Sequence, residues 1–390
     1  MKFAAVTGTN GKTTSIEFAR QLLSHIGVSA MTWGTLGICH QDVTESLPWY
    51  CNTPERIYDH VQEVMAQWQI DICLMECFSR LLILGQYQKF HFDCAAFTNL
   101  SHDHLDYHKT ETDYLNAKLT LAAHCRPGAS IWLRNEEPHR SAWFDACAQH
   151  GCTAKTFSCQ TSASQWYGAL NQDQLTLRLG GEHWQGRVPF FGQHNVCNLL
   201  TALGLVASLC GEQAIEKSLP SIPKLTLPKG RLQAVDAGGK RHIFVDFAHN
   251  PDGLDNALSA LREHYQKPLT VVFGCGGDRD KTKRIPMAKK VGKHARHIFI
   301  TGDNSRTEPI EHIVSPLRQT LPHARVVKSR VDAIYQALSQ QTDEDILVVA
   351  GRGHEAYLPG ATTLLSPAFF NQPMCDADVI KLCLKQIQQD

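Results

Sequence analysis

The 390-residue chain carries 38 Lys+Arg against 38 Asp+Glu, so its formal net charge is zero, which denies it the basic footprint of a broad nucleic-acid binder. With 43% hydrophobic and 19% charged residues it is not disordered, and no apolar run reaches membrane-spanning length. A chain of this size holds roughly two or three domains. Met1-Lys2-Phe3-Ala4-Ala5-Val6 runs into glycine too soon for a secretory signal, so a soluble cytoplasmic protein is expected, with neither a nucleic-acid nor a membrane partner.

In chain order, Phe3–Val6 reads as a buried strand and Thr14–His25 as a helix, with Ile16, Phe18, Ala19, Leu22 and Leu23 on one face and a stop near Gly27. Ile70–Met75 and Cys94–Phe97 are apolar throughout, as strands of a parallel sheet are. Segment 126–190 changes character. Gln174–Leu179 alternates, Gly180-Gly181 turns, and a second alternating stretch runs to Phe190, which predicts antiparallel hairpins inserted into or beside the sheet. A helix follows over about Asn195–Leu209. The stretch from Pro220 to Gly230, with Pro220, Pro223 and Pro228, reads as a linker. Beyond it His242–Phe247, Leu269–Phe273, His297–Ile300 and Ile346–Val349 read as strands. Helical patterns at Leu254–His264 and Asp332–Leu338 lie among them, so a second α/β domain is expected. The expected division is residues 1–226 and 227–390. The fourteen cysteines show no Cys-x-x-Cys spacing and many sit in apolar runs, so they read as small buried hydrophobes in a reducing compartment.

The strongest chemical signal is Gly8-Thr9-Asn10-Gly11-Lys12-Thr13-Thr14 between a strand and a helix. Backbone N–H groups of such a loop, with a helix N-terminus behind them, cradle phosphate oxygens. Lys12 would neutralise β/γ charge and the Thr13 hydroxyl would reach Mg²⁺. Val6 stands where the strict pattern has its first glycine, so this is a shortened variant. Ligands bind at the carboxyl ends of parallel strands, which draws attention to Glu76, directly after one strand, and to His104, shortly after another. Both would serve as Mg²⁺ ligands; a surface carboxylate and a histidine in a polar turn are the plainer readings of the same residues.

Taken with Thr98-Asn99-Leu100-Ser101, Asp103-His104-Leu105-Asp106-Tyr107-His108, Ala117-Lys118, Asn195-Val196-Cys197-Asn198, Gly230-Arg231-Leu232 and Asp246-Phe247-Ala248-His249-Asn250-Pro251, this loop resembles that of the Mur ligase family. Gly274-Cys275-Gly276-Gly277-Asp278-Arg279, Asp303-Asn304-Ser305-Arg306 and Gly351-Arg352-Gly353-His354-Glu355 extend the resemblance through the C-terminal third, in family order. Within the family the sequence is most similar to the ligases that add the third peptide residue in cell-wall synthesis. The resemblance implies a P-loop central α/β domain, mainly a parallel sheet with a small antiparallel part, followed by a Rossmann-like α/β domain. It also implies ADP-forming amide ligation. ATP phosphorylates a carboxylate, an amine attacks the acyl phosphate, and phosphate leaves. Lys12, Thr13, Glu76 and His104 would act there with two Mg²⁺, and Lys118 would be carbamylated by CO₂ to support the second ion. Asn195 and Asn198 match positions near the nucleotide base; Arg231, Asp246 and His249 match positions where the second domain closes on ATP.

For the incoming amino acid, Arg306 and Arg279 offer forks for carboxylates, while Asp303, Asn304 and Glu355, beside Gly351, offer acceptors for an ammonium group. In the resembled enzymes Asp-Asn-Pro-Arg marks the meso-diaminopimelate type. Here Ser305 replaces the proline and the arginine survives, so meso-diaminopimelate or an analogue is expected. The acceptor side departs from the family. Its Glu-x-Ser-Ser-His is Glu76-Cys77-Phe78-Ser79-Arg80 here, a later arginine falls near Gln86 or Tyr87, and its Thr-Thr-Pro is Asn52-Thr53-Pro54. The family's UDP-sugar domain is not found ahead of Gly8. An acceptor other than a UDP-muramoyl peptide is therefore expected, such as a free small peptide or amino acid. A ligase resembling folylpolyglutamate synthase and a non-catalytic ATP-binding paralogue are the alternatives.

Overall fold

The computed structural model describes residues 1–47, 51–236, 241–358 and 372–389. They fall into two compact units, one of residues 1–101 and 107–227, the other of residues 102–106 and 228–390.

In the first unit β1 (Lys2–Thr7), β2 (Ala30–Gly34), β3 (Gly37–His40), β4 (Val43–Glu45), β5 (Ile72–Glu76), β6 (Phe92–Phe97), β7 (Cys125–Arg134) and β8 (Thr153–Phe157) form one sheet, ordered β4-β3-β2-β5-β1-β6-β7-β8. The six strands from β2 to β8 in that order are parallel, and β3 and β4 add an antiparallel edge. Ala4, Ala5 and Val6 of β1 are fully buried, as a parallel strand covered on both faces requires. One face is covered by the helices Lys12–His25 and Gln193–Cys210, whose Phe18, Leu22, Val196, Leu199 and Leu203 share a core with Ala4 and Val6. The other carries a second core around Phe3, Ala5, Met75, Phe97 and Trp143.

The antiparallel expectation for segment 126–190 holds only for its second half. There β9 (Trp166–Asn171), β10 (Gln174–Leu179) and β11 (Glu182–Arg187) form a separate three-stranded sheet, and alternate Leu175, Leu177 and Leu179 point into the core. The first half continues the parallel sheet as β7 and β8, because the helix Arg140–Gln149 supplies the crossover that parallel neighbours need. The two units divide inside the proline-rich stretch, between Leu227 and Pro228, but its first part is packed structure. Leu219–Lys224 is a 3₁₀ helix with Pro220 in its first turn, where a missing N–H costs nothing, and Ile222 and Leu225 are buried in the first core.

In the second unit β12 (Gln233–Ala234), β13 (His242–Asp246), β14 (Leu269–Phe273), β15 (Ala295–Ile300), β16 (Arg325–Val326) and β17 (Ile346–Ala350) are ordered β12-β13-β17-β14-β15-β16, parallel except for β12. The fully buried β17 is flanked by β13 and β14. Asp246, Gly274, Thr301 and Gly351 therefore stand at the carboxyl ends of neighbouring strands. All fourteen cysteines are free thiols and eight are buried, in keeping with their apolar contexts. No helix among the described residues is long and apolar enough to cross a membrane.

Candidate active site

The glycine loop of the first unit is clamped by the segment after β6. Thr9 N–H donates to the Asn99 carbonyl (2.8 Å) and Asn10 N–H to Asn99 Oδ1 (3.1 Å), while Thr98 Oγ1 and Asn99 Nδ2 both donate to the Asn10 carbonyl (2.6 and 3.0 Å). This gives Thr98-Asn99-Leu100-Ser101 a physical role that the sequence left unexplained. Gly11 has φ +87°, and a Cβ there would lie 2.3 Å from Asn198 Oδ1. Any side chain would be both strained and blocked. Asn198 is itself held by Asn195 Oδ1 (3.1 Å), and Asn195 donates to the Phe191 carbonyl (2.8 Å), so these buried asparagines buttress the loop. Lys12 Nζ curls back onto the Gly8 and Thr9 carbonyls, 2.9 Å from each. Thr14 is buried behind the loop.

Beside the loop lies a buried carboxylate. Glu76, 1% exposed at the end of β5, accepts from Thr13 Oγ1 (2.9 Å) and Thr35 N–H (2.9 Å) at Oε1, and from Thr35 Oγ1 (3.1 Å) at Oε2. A carboxylate and a hydroxyl joined in this way are the hard oxygen donors that Mg²⁺ takes. Nothing in the sequence marks Thr35, which belongs to the tight β2–β3 turn and carries no motif.

Lys118 is also buried, at 1% exposure, with Nζ 4.1 Å from the centre of the Tyr114 ring. Tyr114 OH accepts from Thr9 Oγ1 (3.3 Å), and its ring packs on that of His108, which bonds Ser79 Oγ through Nε2 (2.9 Å). This buried string ties Lys118 to the glycine loop, and Tyr114 and His108 are further residues to which the sequence gave no role. Of the acceptor-side candidates, Asn52 is exposed and Thr53 caps the helix Pro54–Gln67 by accepting from Arg56 N–H (3.4 Å).

His104 clusters with the second unit, half-exposed and at φ +58°. Its neighbour Asp103 is buried and accepts from Lys283 Nζ (3.0 Å), His104 N–H (3.0 Å) and Asn250 Nδ2 (3.1 Å), with His249 Nε2 at 3.5 Å. Burial alone would raise the Asp103 pKa, but His249, Lys283 and His104 together hold it well below the usual carboxylate range. Asn250 also caps the helix Pro251–Tyr265, its Oδ1 accepting from Gly253 N–H (2.8 Å). Asp246 at the end of β13 accepts from Leu232 N–H (2.6 Å) and Ala248 N–H (2.7 Å), and burial raises its pKa. Arg231 lies over the Phe247 ring, 4.3 Å from its centre. Among the described residues no group of three or more His, Cys, Asp or Glu is arranged to hold a metal ion.

The amino-acid candidates gather at the ends of β14, β15 and β17. Arg306, at φ +49°, donates through Nη1 to the Gly277 carbonyl (2.5 Å), and its N–H donates to Asn304 Oδ1 (3.3 Å). Asp303 accepts from Asn304 N–H (2.6 Å) and Arg352 Nη1 (3.0 Å). Arg279 is half-exposed, 4.0 Å from Asp106, and Glu355 is exposed just beyond the Gly351–Gly353 turn.

The Mur ligase middle domain matches residues 6–206, and the Mur ligase glutamate ligase domain matches residues 230–353. The UDP-N-acetylmuramoyl-L-alanyl-D-glutamate–2,6-diaminopimelate ligase of Vibrio parahaemolyticus is 33% identical over 368 residues, spanning 92% of this chain and 73% of that protein. Its counterpart from Lactiplantibacillus plantarum is 33% identical over 375 residues, spanning 92% and 74%. A solved structure of a ligase with the same description superposes with a TM-score of 0.65 at 26% identity, covering 100% of this chain and 79% of the other. Folylpolyglutamate synthase of Mycobacterium tuberculosis shares the fold, with a TM-score of 0.71 at 17% identity over 90% and 88% of the two chains. The chain belongs to the Mur ligase family, and it is an ATP-dependent, ADP-forming ligase of C–N bonds.

Proposed function

We propose that this ligase activates a carboxylate other than that of a UDP-muramoyl peptide and joins it to an amine of meso-diaminopimelate or a close analogue. The observation that carries the reading is the glycine loop set beside a buried hydroxyl–carboxylate pair, Thr13 Oγ1 on Glu76 Oε1 at 2.9 Å. An acceptor oxygen attacks the γ-phosphorus of ATP and ADP leaves; the amine nitrogen then attacks the acyl carbon, and phosphate leaves with loss of a proton from nitrogen. Lys12 and the loop N–H groups other than those of Thr9 and Asn10, which donate to Asn99, bear the phosphate charge. Thr13 and Glu76 would hold one magnesium ion and a carbamate on Lys118 would support a second, and such ions would supply charge neutralisation at the transferred phosphoryl group. His104 is a candidate nitrogen ligand on the strength of its motif, as Arg231, Asp246 and His249 are candidates for ATP.

The carbamate reading rests on the match of Ala117-Lys118 to the family motif and on the buried place of Lys118 beside Tyr114, which is tied to the glycine loop. The neutral amine forms an N–C bond to CO₂ and releases a proton. Labelling with ¹³C-bicarbonate is expected to give one carbamate resonance that Lys118→Ala abolishes. For the amino acid, the acceptors of Asp303 and Asn304 lie within one turn of the Arg306 fork, which suits a substrate with a zwitterionic far end. The acceptor reading rests on Phe78 and Arg80 standing where the family has serine and histidine.

The deciding experiment measures ADP release from a panel of amino acids against small carboxylate acceptors, with products weighed by mass spectrometry. Turnover dependent on meso-diaminopimelate with a free peptide or amino acid is expected. Efficient turnover of UDP-N-acetylmuramoyl-dipeptide would refute the acceptor reading. An Arg306→Ala enzyme with unchanged half-saturation for the amino acid would refute the donor reading.

A further inference from the structure

We propose that Arg352 is a positioning residue for amino-acid binding, acting through Asp303; the inference rests on the donor reading above. Arg352 is 7% exposed, and its Nη1 donates to Asp303 Oδ1 at 3.0 Å. The same oxygen accepts the Asn304 N–H at 2.6 Å, so one carboxylate oxygen joins the turn after β15 to the turn after β17. The second oxygen, Oδ2, lies 3.0 Å from the point where a Cβ on Gly351 would stand. Gly351, at φ +117°, is therefore needed both for its backbone and for its lack of a side chain. Asp303 thus uses one oxygen to hold the two turns together and keeps the other for an ammonium group.

Arg352 is fixed in its own right. Its guanidinium lies 4.5 Å from the centre of the Tyr357 ring, a cation–π contact. The Tyr357 hydroxyl donates to Asp376 Oδ1 (3.0 Å), and Asp376, fully buried, is held by both arms of Arg330 (2.8 and 2.6 Å). Arg330 also donates to the Ala350 carbonyl (2.9 Å), immediately before Gly351. The turn carrying Arg352 is thereby tied at both ends, at Ala350 by Arg330 and at Arg352 by Tyr357. A planar guanidinium held in this way fixes the direction of the carboxylate it pairs with, which a flexible point charge does less well.

Removing the guanidinium takes away the cation bonded to Asp303 Oδ1 and loosens the Asn304 turn, so the effect falls on amino-acid binding and not on ATP. The test compares wild type, Arg352→Ala and Arg352→Lys. Calorimetry measures binding of meso-diaminopimelate, and steady-state assays read half-saturation for the amino acid and for ATP. Arg352→Ala is expected to weaken amino-acid binding at least tenfold while changing the ATP value less than threefold, and Arg352→Lys to recover most of the loss. Adding Asp303→Asn to Arg352→Ala is expected to cost less than the product of the two single effects, as for residues acting as one unit. If Arg352→Ala is poorly folded, Tyr357→Leu, which removes the ring beneath the guanidinium together with its hydroxyl bond to Asp376, is expected to weaken amino-acid binding severalfold, whereas Tyr357→Phe, which removes the hydroxyl alone, is expected to leave it within twofold. Unchanged amino-acid binding in Arg352→Ala or Tyr357→Leu, or an equal loss for ATP, overturns the positioning role alone. No binding of meso-diaminopimelate by the wild type overturns the donor reading, and this inference with it.

Discussion

Lys283→Met tests whether the buried carboxylate at Asp103 organises the second unit. In the structure Lys283 Nζ is 3.0 Å from Asp103 Oδ1, and the side chains of Lys283 and Asp103 are 11% and 4% exposed. Removing one partner of a buried ion pair costs about 3–5 kcal/mol, because the other charge stays buried. Asp103 keeps the His104 N–H at 3.0 Å, the Asn250 amide at 3.1 Å and His249 at 3.5 Å, which places the expected loss at the lower end, about 3 kcal/mol. Asp103 has a depressed folded pKa, so its stabilisation is complete above its unfolded value, about 3.9, and is lost as pH falls through the folded value. Without Lys283 the folded value rises toward the ordinary range, and acid unfolding is expected to begin at higher pH. Guanidinium unfolding followed by circular dichroism measures the loss, and hydrogen exchange at the His104 and Gly253 amides locates it. A loss below about 1 kcal/mol, with both amides as protected as in the wild type, would refute the reasoning. The double variant Asp103→Asn/Lys283→Met, which removes both charges, is expected to be more stable than Lys283→Met.

Thr13→Ala deletes the hydroxyl that meets Glu76 and is expected to lower kcat about 100-fold with little change in melting temperature; a drop of less than threefold in ADP release argues against a catalytic hydroxyl. Gly11→Ala forces a side chain to φ +87° against Asn198 Oδ1. It should cost about 1–2 kcal/mol in backbone strain and raise the ATP half-saturation about tenfold, with partial relief from Asn198→Ala; no relief would show that the clash is not the cause. Arg330→Met removes both guanidinium donors from the fully buried Asp376 and leaves it the Tyr357 hydroxyl. A loss of about 3–5 kcal/mol is expected by chemical denaturation, and Arg330→Met/Asp376→Leu should recover part of it.

Apolar runs made the central strands legible, since a parallel strand is buried on both faces and leaves an unbroken hydrophobic signature, as in Ile346–Ala350. The same rule hid β7, whose Cys125-Arg126-Pro127-Gly128 start is largely exposed, so its parallel pairing came to light only with the helix Arg140–Gln149 that crosses over to β8. Prolines suggested a linker because their local chemistry breaks regular structure; the two units do divide inside that stretch, between Leu227 and Pro228, while Ile222 and Leu225 anchor its first part in the core.

The family and the order of its motifs were legible in the amino-acid sequence, because a chemistry of this kind needs particular groups at particular local spacings. Tertiary structure alone decided which of them are tied together. Thr35 caps Glu76, Tyr114 lies under Lys118, Lys283 neutralises Asp103 and Arg352 holds Asp303. Apart from Tyr114, which stands one helical turn from Lys118, these partners are separated by 41, 180 and 49 residues in the chain. A hydrogen bond carries no mark in the sequence when only the fold brings its two ends within 3 Å.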